Sequence, residues 1–242
     1  MGGSAPLTGP TPEDLARLAE TAVGQVRATA GAGPVRVGLG SGRAATAFVH
    51  ALARAVDGGR AVEGVATSAA TAALAAGLGI RIVDLGPEPL DLTVDGADEV
   101  DPALNLIKGY GGALVRERIV AAASRRQVIL VTPDKLVPRL GGRGRLPVEI
   151  VPFARAFCAR RLEALGARPR LREAGGQPMV TDNGNWILDC AIAPLDDPAA
   201  YEEKLRRIPG VVDTGLFLGT ADTVLLAEAG LVRELRRARP LP

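Results

Sequence analysis

The sequence predicts an α/β protein with an open, mainly parallel Rossmann-like sheet and an inserted small ferredoxin-like α+β domain. Short apolar strands alternate with helical stretches from about residue 35 to residue 131, the order typical of a parallel sheet with helical crossovers. Residues 128–131 are apolar at every position, as a strand buried on both faces requires. After residue 144 the order changes to β-α-β-β-α-β, which is the ferredoxin-like plan.

Two regions follow from this change of order. A large α/β domain is predicted at residues 1–144 plus 213–242, and a small ferredoxin-like domain at residues 145–212. The glycine-rich segment 141–144 lies at the first boundary, and the segment after residue 222 is expected to return to the large sheet. In the small domain we predict strands at 146–151, 169–172, 185–191 and 211–216, and helices at 154–165 and 198–208.

The large domain is predicted to begin with a helix. Thr11 is a good N-cap, Pro12 suits the first turn, and two acids follow, so a helix is expected to about Ala30, after a loose tail at residues 1–11. Strands are then predicted at 35–37, 61–65, 80–83, 92–94 and 128–131, with helices after the first, second and fourth of them.

The composition argues against several classes of function. The formal net charge is +2, basic residues are scattered, and aromatic residues make up 3%, so no nucleic-acid partner is expected. No apolar stretch is long enough to span a bilayer, and the lack of a basic residue before Arg17 argues against a secretory signal. Cys158 and Cys190 lack metal-site spacing, so a reducing cytoplasm is the simplest expected location.

Four polar side chains are predicted at the carboxyl ends of parallel strands: Ser41, Thr67, Asp95 and Lys135. Ligands of open α/β sheets bind at that edge, so one shared site is expected there. Lysine is otherwise rare in this arginine-rich chain, which suggests that Lys108 and Lys135 are needed as compact ammonium groups.

The segment 38–43, Gly-Leu-Gly-Ser-Gly-Arg, joins a strand to a helix and can point backbone N–H groups at an anion. It is not a dinucleotide fingerprint, because Arg43 replaces the third glycine, and it lacks the Gly-Lys-Ser/Thr of a Walker loop. A tight strand-to-helix connection would explain the same pattern.

The acidic turn 95–99, Asp-Gly-Ala-Asp-Glu, does not match a metal site. Aligned on a calcium-binding loop from Asp91, it has Thr93 at position three and Pro102 at position twelve, where the bidentate glutamate belongs. No His/Cys cluster indicates zinc. The turn directly follows a buried strand, so a functional role is favoured over a solvated loop.

Glu117 is predicted within a helix, among Leu114, Ile119 and Val120, where burial would raise its pKa toward that of a useful base. A surface glutamate paired with a neighbouring arginine is the alternative. The glycine-rich turn 109–112 can bind an anion, and Lys108 at its edge could stabilise an oxyanion. A base, an oxyanion stabiliser and an acid suit proton abstraction next to a carbonyl, as in aldose–ketose isomerisation.

The segment DGADEVDPALNLIKGYGGALVRERIVA closely resembles the signature of type A ribose-5-phosphate isomerases. The resemblance extends over nearly the whole chain, through VGLGSG, TSAAT, TPDK, LPVEIVPFA, VTDNGNWILD and PGVVDTGLF in the family's order. It implies a two-domain α/β fold, no cofactor, and reversible interconversion of ribose 5-phosphate and ribulose 5-phosphate. It also implies a homodimer or homotetramer, with the small domain as a contact surface.

The resemblance also implies roles for individual residues. Glu117 matches the base that moves the proton between C1 and C2, and Lys108 the residue that stabilises the enediolate. Asp95 matches the acid of ring opening and oxygen protonation, with Asp98 beside it. The expected substrate-binding residues are Ser41, Gly42, Arg43, Ala44, Gly96, Ala97, Gly109, Tyr110, Gly111 and Lys135, the last near the phosphate.

The chain departs from the family pattern at several positions, including the first helix, where Ala16 and Arg17 occupy the region that often supplies a lysine to the phosphate. Arg43 and Ala44 replace a Ser-Thr pair of the phosphate loop, and Tyr110 stands where small residues are usual. One hypothesis is that Arg43 takes over phosphate binding by a bidentate contact. The other is that the pocket is retuned for a related sugar or sugar phosphate. A non-catalytic sugar-phosphate sensor and an acyl-CoA transferase are further alternatives on the same scaffold.

Overall fold

The structure is a computed structural model that describes residues 9–31, 33–56 and 61–237. Its helices are α1 (Pro12–Arg27), α2 (Gly42–Val56), α3 (Ala69–Gly77), α4 (Leu114–Ala122), α5 (Arg155–Glu163) and α6 (Pro198–Arg206), with short 3-10 helices at Pro133–Lys135 and Pro152–Ala154. Its strands are β1 (Val35–Leu39), β2 (Val62–Ala66), β3 (Arg81–Ile82), β4 (Leu92–Gly96), β5 (Glu99–Val100), β6 (Leu106–Ile107), β7 (Gln127–Val131), β8 (Arg145–Ile150), β9 (Arg168–Leu171), β10 (Glu173–Ala174), β11 (Gln177–Pro178), β12 (Trp186–Ala191), β13 (Val211–Thr214), β14 (Leu216–Phe217), β15 (Thr223–Glu228) and β16 (Leu231–Arg236).

The centre of the molecule is a seven-stranded sheet with the order β16-β15-β7-β4-β1-β2-β3. All neighbouring strands are parallel except β15 and β16, which form an antiparallel pair at one edge. Strand β7 is buried at every position, as its apolar sequence predicts. The α/β class with a mainly parallel sheet is confirmed, and the segment after residue 222 does return to the large sheet.

A second, four-stranded sheet has the order β13-β8-β12-β9, and all its pairs are antiparallel. With α5 between β8 and β9, and α6 between β12 and β13, this is the topology predicted for residues 145–212. Its apolar interior includes Leu146, Val148, Leu162 and Leu188. The division of the chain into two domains stays a prediction.

The predicted strand at 211–216 is wrong as a single element. Strand β13 belongs to the four-stranded sheet, whereas β14 pairs with β6 in a separate three-stranded sheet, β14-β6-β5. Gly215 lies between them, where a Cβ atom would be 3.0 Å from Pro147 Cδ. Its carbonyl accepts a hydrogen bond from Lys108 N at 2.9 Å. This close meeting of three segments therefore requires glycine.

Helix α1 begins as predicted, because Thr11 and Asp14 form a reciprocal capping box. It ends at Arg27, three residues before the predicted end, and the chain then passes through Gly31 at φ 133°. Its buried face packs with α2 against the central sheet. Residues 1–8 of the predicted tail lie outside the described residues. No helix in the described ranges is both long and apolar enough to cross a membrane.

Candidate active site

A cavity of about 280 Å³ lies at the carboxyl ends of β1, β4 and β7. This is the edge at which the sequence predicts a shared site. It is lined by every predicted site residue except Thr67, Asp95 and Tyr110: Ser41, Gly42, Arg43, Ala44, Gly96, Ala97, Asp98, Lys108, Gly109, Gly111, Glu117 and Lys135. Sequence reasoning missed six further lining residues: Pro10, Leu15, Leu18, Leu130, Val131 and Thr132.

Lys108 is the buried centre of this site, with a relative exposure of 2%. It directly follows β6, whose pairing with β14 fixes the local backbone. Its Nζ lies 2.9 Å from Asp95 Oδ2 and 3.3 Å from Glu117 Oε2, and it donates a hydrogen bond to Gly96 O at 2.5 Å. Burial lowers the pKa of Lys108, but the charges of Asp95 and Glu117 more than offset this and raise it, so the ammonium stays charged.

Asp95 lies beside the cavity rather than on its surface. Its Oδ1 accepts hydrogen bonds from Ser41 N at 3.0 Å and Gly96 N at 2.7 Å, while Oδ2 pairs with Lys108. The close approach of the glycine loop is possible because position 40 has no side chain: a Cβ there would lie 2.6 Å from Asp95 Cα. Asp95 thus joins the loop after β1 to the catalytic lysine candidate.

Glu117 lies in the first turn of α4 and is 5% exposed. Apart from the ion pair with Lys108, its Oε2 is buried without a hydrogen-bond partner among the described residues. Burial and then the charge of Asp95 raise the pKa of Glu117 to about 8, although Lys108 acts in the opposite direction. The expected burial is confirmed for Leu114 and Val120, whereas Ile119 is exposed.

Asp98 faces the cavity and contacts the glycine turn. Its Oδ2 accepts a hydrogen bond from Tyr110 N at 2.9 Å. Burial raises the pKa of Asp98, and this hydrogen bond partly offsets the rise. The turn needs glycine at residues 109 and 112, whose φ angles are 100° and 92°.

The side chain of Tyr110 points away from the cavity, which distinguishes it from the other predicted site residues. Its ring stacks on the Arg145 guanidinium, 4.4 Å from the ring centroid. Its hydroxyl donates to Arg145 O at 3.2 Å. The departure from the family pattern at this position therefore changes the packing against the four-stranded sheet, while the backbone N–H still serves the site.

A cationic part of the cavity surface contains Arg43 and Lys135. Arg43 is exposed and has no ion pair with any described residue, whereas Lys135 Nζ lies 3.3 Å from Asp134 Oδ2. Helix α2 begins at Gly42, so its N-terminal N–H groups face the same space. Ser41 Oγ and Thr67 Oγ1 are 2.8 Å apart, as expected of two residues that follow adjacent strands. This surface suits an anion.

The residues that the structure describes contain no group of three or more His, Cys, Asp or Glu side chains that could hold a metal ion. Cys158 and Cys190 are buried and free.

The family profile for ribose 5-phosphate isomerase A (phosphoriboisomerase A) matches residues 63–230. The chain belongs to this family. It is therefore an isomerase, as the sequence resemblance predicted.

Curated relatives carry the same name. The ribose-5-phosphate isomerase A of Roseiflexus sp. (strain RS-1) is 50% identical over 203 residues, which cover 82% of this chain and 87% of the relative. The ribose-5-phosphate isomerase A of Thermomicrobium roseum is 49% identical over 206 residues, which cover 84% of this chain and 87% of the relative.

Solved structures of family members have the same fold. Ribose 5-phosphate isomerase A from Methanocaldococcus jannaschii has a TM-score of 0.86 and 34% identity, covering 93% of this chain and all of that one. A D-ribose-5-phosphate isomerase in complex with phospho-erythronic acid has a TM-score of 0.88 and 33% identity, and the match covers 94% of this chain and all of that one.

Proposed function

We propose that this isomerase interconverts D-ribose 5-phosphate and D-ribulose 5-phosphate through an enediol, with Glu117 as the base. The observation that carries the proposal is the buried Glu117–Lys108 pair inside a cavity that also has a cationic surface. Family membership supports the substrate. The relative with phospho-erythronic acid adds support, because the carboxylate of that acid resembles an enediolate in shape and charge.

In the proposed reaction, Glu117 takes the proton from C2 of the open-chain aldose. The C–H electron pair forms the C1–C2 double bond, and the carbonyl π electrons move to O1. Lys108 and the Gly111 N–H stabilise the negative charge on O1. Glu117 then returns the proton to C1 as the carbonyl forms at C2, so no cofactor is consumed.

One proton must also move from O2 to O1. Asp98 is the better candidate for this transfer, because it lines the cavity and burial raises its pKa. The oxygens of Asp95 are occupied by Lys108 and two backbone N–H groups. We therefore assign Asp95 to holding Lys108 and the glycine loop, which differs from the role implied by the sequence resemblance.

The 5-phosphate is proposed to bind Arg43, Lys135 and the N-terminus of α2. Arg43 is free of described ion pairs and can offer a bidentate contact, which compensates for the missing Ser-Thr pair. A pocket retuned for another sugar remains the second candidate, and the altered loop residues Arg43 and Ala44 are the observation that favours it.

Turnover tests both candidates. Isomerisation of ribose 5-phosphate would be measured with EDTA, beside unphosphorylated ribose and other pentose phosphates. Efficient, EDTA-resistant turnover that is selective for ribose 5-phosphate is expected. Faster turnover of a different sugar would overturn the substrate assignment in favour of the retuned pocket.

A cytoplasmic homodimer or homotetramer is also proposed. In the four-stranded region, residues 145–214, Phe153 is fully exposed, and Val151, Phe157 and Val212 are about 40% exposed. Such exposure is unusual for large apolar side chains. The two free buried thiols are compatible with a reducing compartment. Light scattering should give two or four times the chain mass of 24.9 kDa. A monomer mass for the wild-type protein would contradict the assembly.

A further inference from the structure

Arg172, in the link between β9 and β10, extends from the four-stranded region to the glycine turn of the cavity. Its side chain is 8% exposed. Nη1 donates hydrogen bonds to two carbonyl oxygens of that turn, Gly109 O at 2.9 Å and Tyr110 O at 3.1 Å. Nε and Nη2 bind the two oxygens of Asp189 at 2.9 and 2.5 Å. Almost the entire guanidinium is thus committed to one geometry.

The two carbonyls held by Arg172 determine where the turn's N–H groups point. The described peptide bonds are trans, so each N–H points away from the carbonyl of its own peptide unit. The Gly109 carbonyl faces Arg172, and the N–H of the same unit, on Tyr110, donates to Asp98 in the cavity. The Tyr110 carbonyl also faces Arg172, which directs the Gly111 N–H to the opposite side.

Gly111 lines the cavity, and its N–H has no hydrogen-bond partner among the described residues. A buried cation on the carbonyl side polarises the peptide units and strengthens their N–H groups as donors. One N–H is directed at a carboxylate, and the other is available to a ligand.

Asp189 fixes Arg172 from behind. Asp189 lies on the central strand β12 and also receives two hydrogen bonds of 2.9 Å from Arg145. Burial raises the pKa of Asp189, but the hydrogen bonds from both arginines more than offset this and lower it, so the carboxylate stays charged. The orientation of the 109–111 turn is therefore fixed, through Arg172 and Asp189, by the four-stranded sheet.

We infer that Arg172 is a positioning residue for catalysis: it holds the 109–111 turn so that the Tyr110 and Gly111 N–H groups face Asp98 and the reacting oxygen. The inference deepens the proposed function and rests on it. It assigns the four-stranded region a part in transition-state stabilisation. Phosphate binding by Arg43 and Lys135 does not involve this turn.

The test compares Arg172→Met with Arg145→Met. Both variants remove one arginine from Asp189 and leave it the other. Arg145 also stacks on the Tyr110 ring, but only Arg172 contacts the turn carbonyls that orient the N–H groups. Arg172→Met should lower kcat about tenfold to a hundredfold with KM changed less than about threefold, since small misplacements of catalytic groups have effects of this size. It should also weaken inhibition by phospho-erythronic acid about tenfold or more. Arg145→Met should stay within about threefold of wild type in kcat, in KM and in inhibition by phospho-erythronic acid.

The outcomes separate this inference from the proposed function. A wild-type protein inactive on ribose 5-phosphate contradicts the proposed function itself. An active wild type with normal kcat in folded Arg172→Met, or with equal losses in both variants, overturns the role of Arg172. Arg172→Lys covers a failure of Arg172→Met to fold. Lysine keeps the positive charge but lacks the planar guanidinium with its several N–H donors, so the kcat of Arg172→Lys should fall at unchanged KM. A wild-type kcat in this variant would also contradict the positioning role of Arg172.

Discussion

Lys108 Nζ lies 2.9 Å from Asp95 Oδ2, and both side chains are 3% exposed. Such a buried pair needs further hydrogen bonds to be stable, and here Gly96 O, Gly96 N and Ser41 N supply them. Because Asp95 already neutralises much of the lysine's charge, the same lysine cannot keep the pKa of Glu117 low. The site thereby combines a fixed cation with a carboxylate of high proton affinity.

Glu117→Gln should lower kcat by roughly a thousandfold or more, because general-base catalysis contributes about 10²–10⁴-fold. Binding of phospho-erythronic acid should persist, since the phosphate contacts remain. Steady-state turnover, together with deuterium uptake at carbon from D₂O, measures the loss. The control is Glu163→Gln, an exposed glutamate of α5. A variant that still exchanges the proton at near wild-type rate would remove Glu117 as the base.

The pH dependence of kcat/KM should show a group that must lose its proton with a pKa near 8, that of Glu117. Asp95→Asn should move this apparent pKa downward, because the Asp95 charge raises it. Activity profiles from about pH 6 to about pH 10 measure the shift. Asp196→Asn, an exposed change, should leave the profile in place. An upward shift for Asp95→Asn would contradict the electrostatic account.

The raised pKa of Glu117 also predicts a pH-dependent stability. The folded protein holds this proton more tightly than the unfolded chain, so stability declines as the pH rises from about 4.5 through about 8. Relative to Glu117→Gln, the wild type should lose on the order of 4 kcal/mol across this window. Urea unfolding of both proteins at several pH values gives the difference. A difference that does not change with pH would show that Glu117 titrates normally.

Arg43→Ala should raise KM for ribose 5-phosphate about tenfold to a hundredfold, the loss expected for a charge-assisted hydrogen bond. kcat should change little, because Arg43 is expected to bind the phosphate rather than the reacting carbons. Arg54→Ala is the control, since it removes an exposed arginine from the same helix. An unchanged KM would contradict phosphate binding by Arg43 and favour the hypothesis that the altered loop marks a different substrate.

Gly40→Ala should destabilise the protein by about 1–3 kcal/mol and greatly reduce activity, because the new methyl group would overlap Asp95. Gly24→Ala is the matched change: its Cβ meets nothing within 4 Å in the last turn of α1, and it should stabilise the fold by up to about 1 kcal/mol. Thermal unfolding with activity assays checks both. Normal activity in Gly40→Ala would mean that the position of Asp95 is unimportant.

Much of the site could be predicted because strand ends are local signals. Ser41 follows β1 and Asp95 lies near the carboxyl end of β4, and parallel strands bring their carboxyl ends to one edge. Thr132, which follows β7, could have been found by the same rule. The orientation of Tyr110 could not, since it depends on Arg145, which lies 35 positions further along the chain. Arg172 was missed for the same reason: no local pattern indicates that a distant arginine will bind two backbone carbonyls.

The position of Gly215 has a consequence for the order in which the site forms. The backbone N–H of Lys108 is bound by the Gly215 carbonyl, and β6 is completed by β14. During synthesis from the N-terminus, the segment around Lys108 emerges first and its partner more than a hundred residues later. The complete four-stranded sheet is made in between, so a ribosome-bound chain that has not reached residue 217 lacks the strand that fixes the backbone at Lys108.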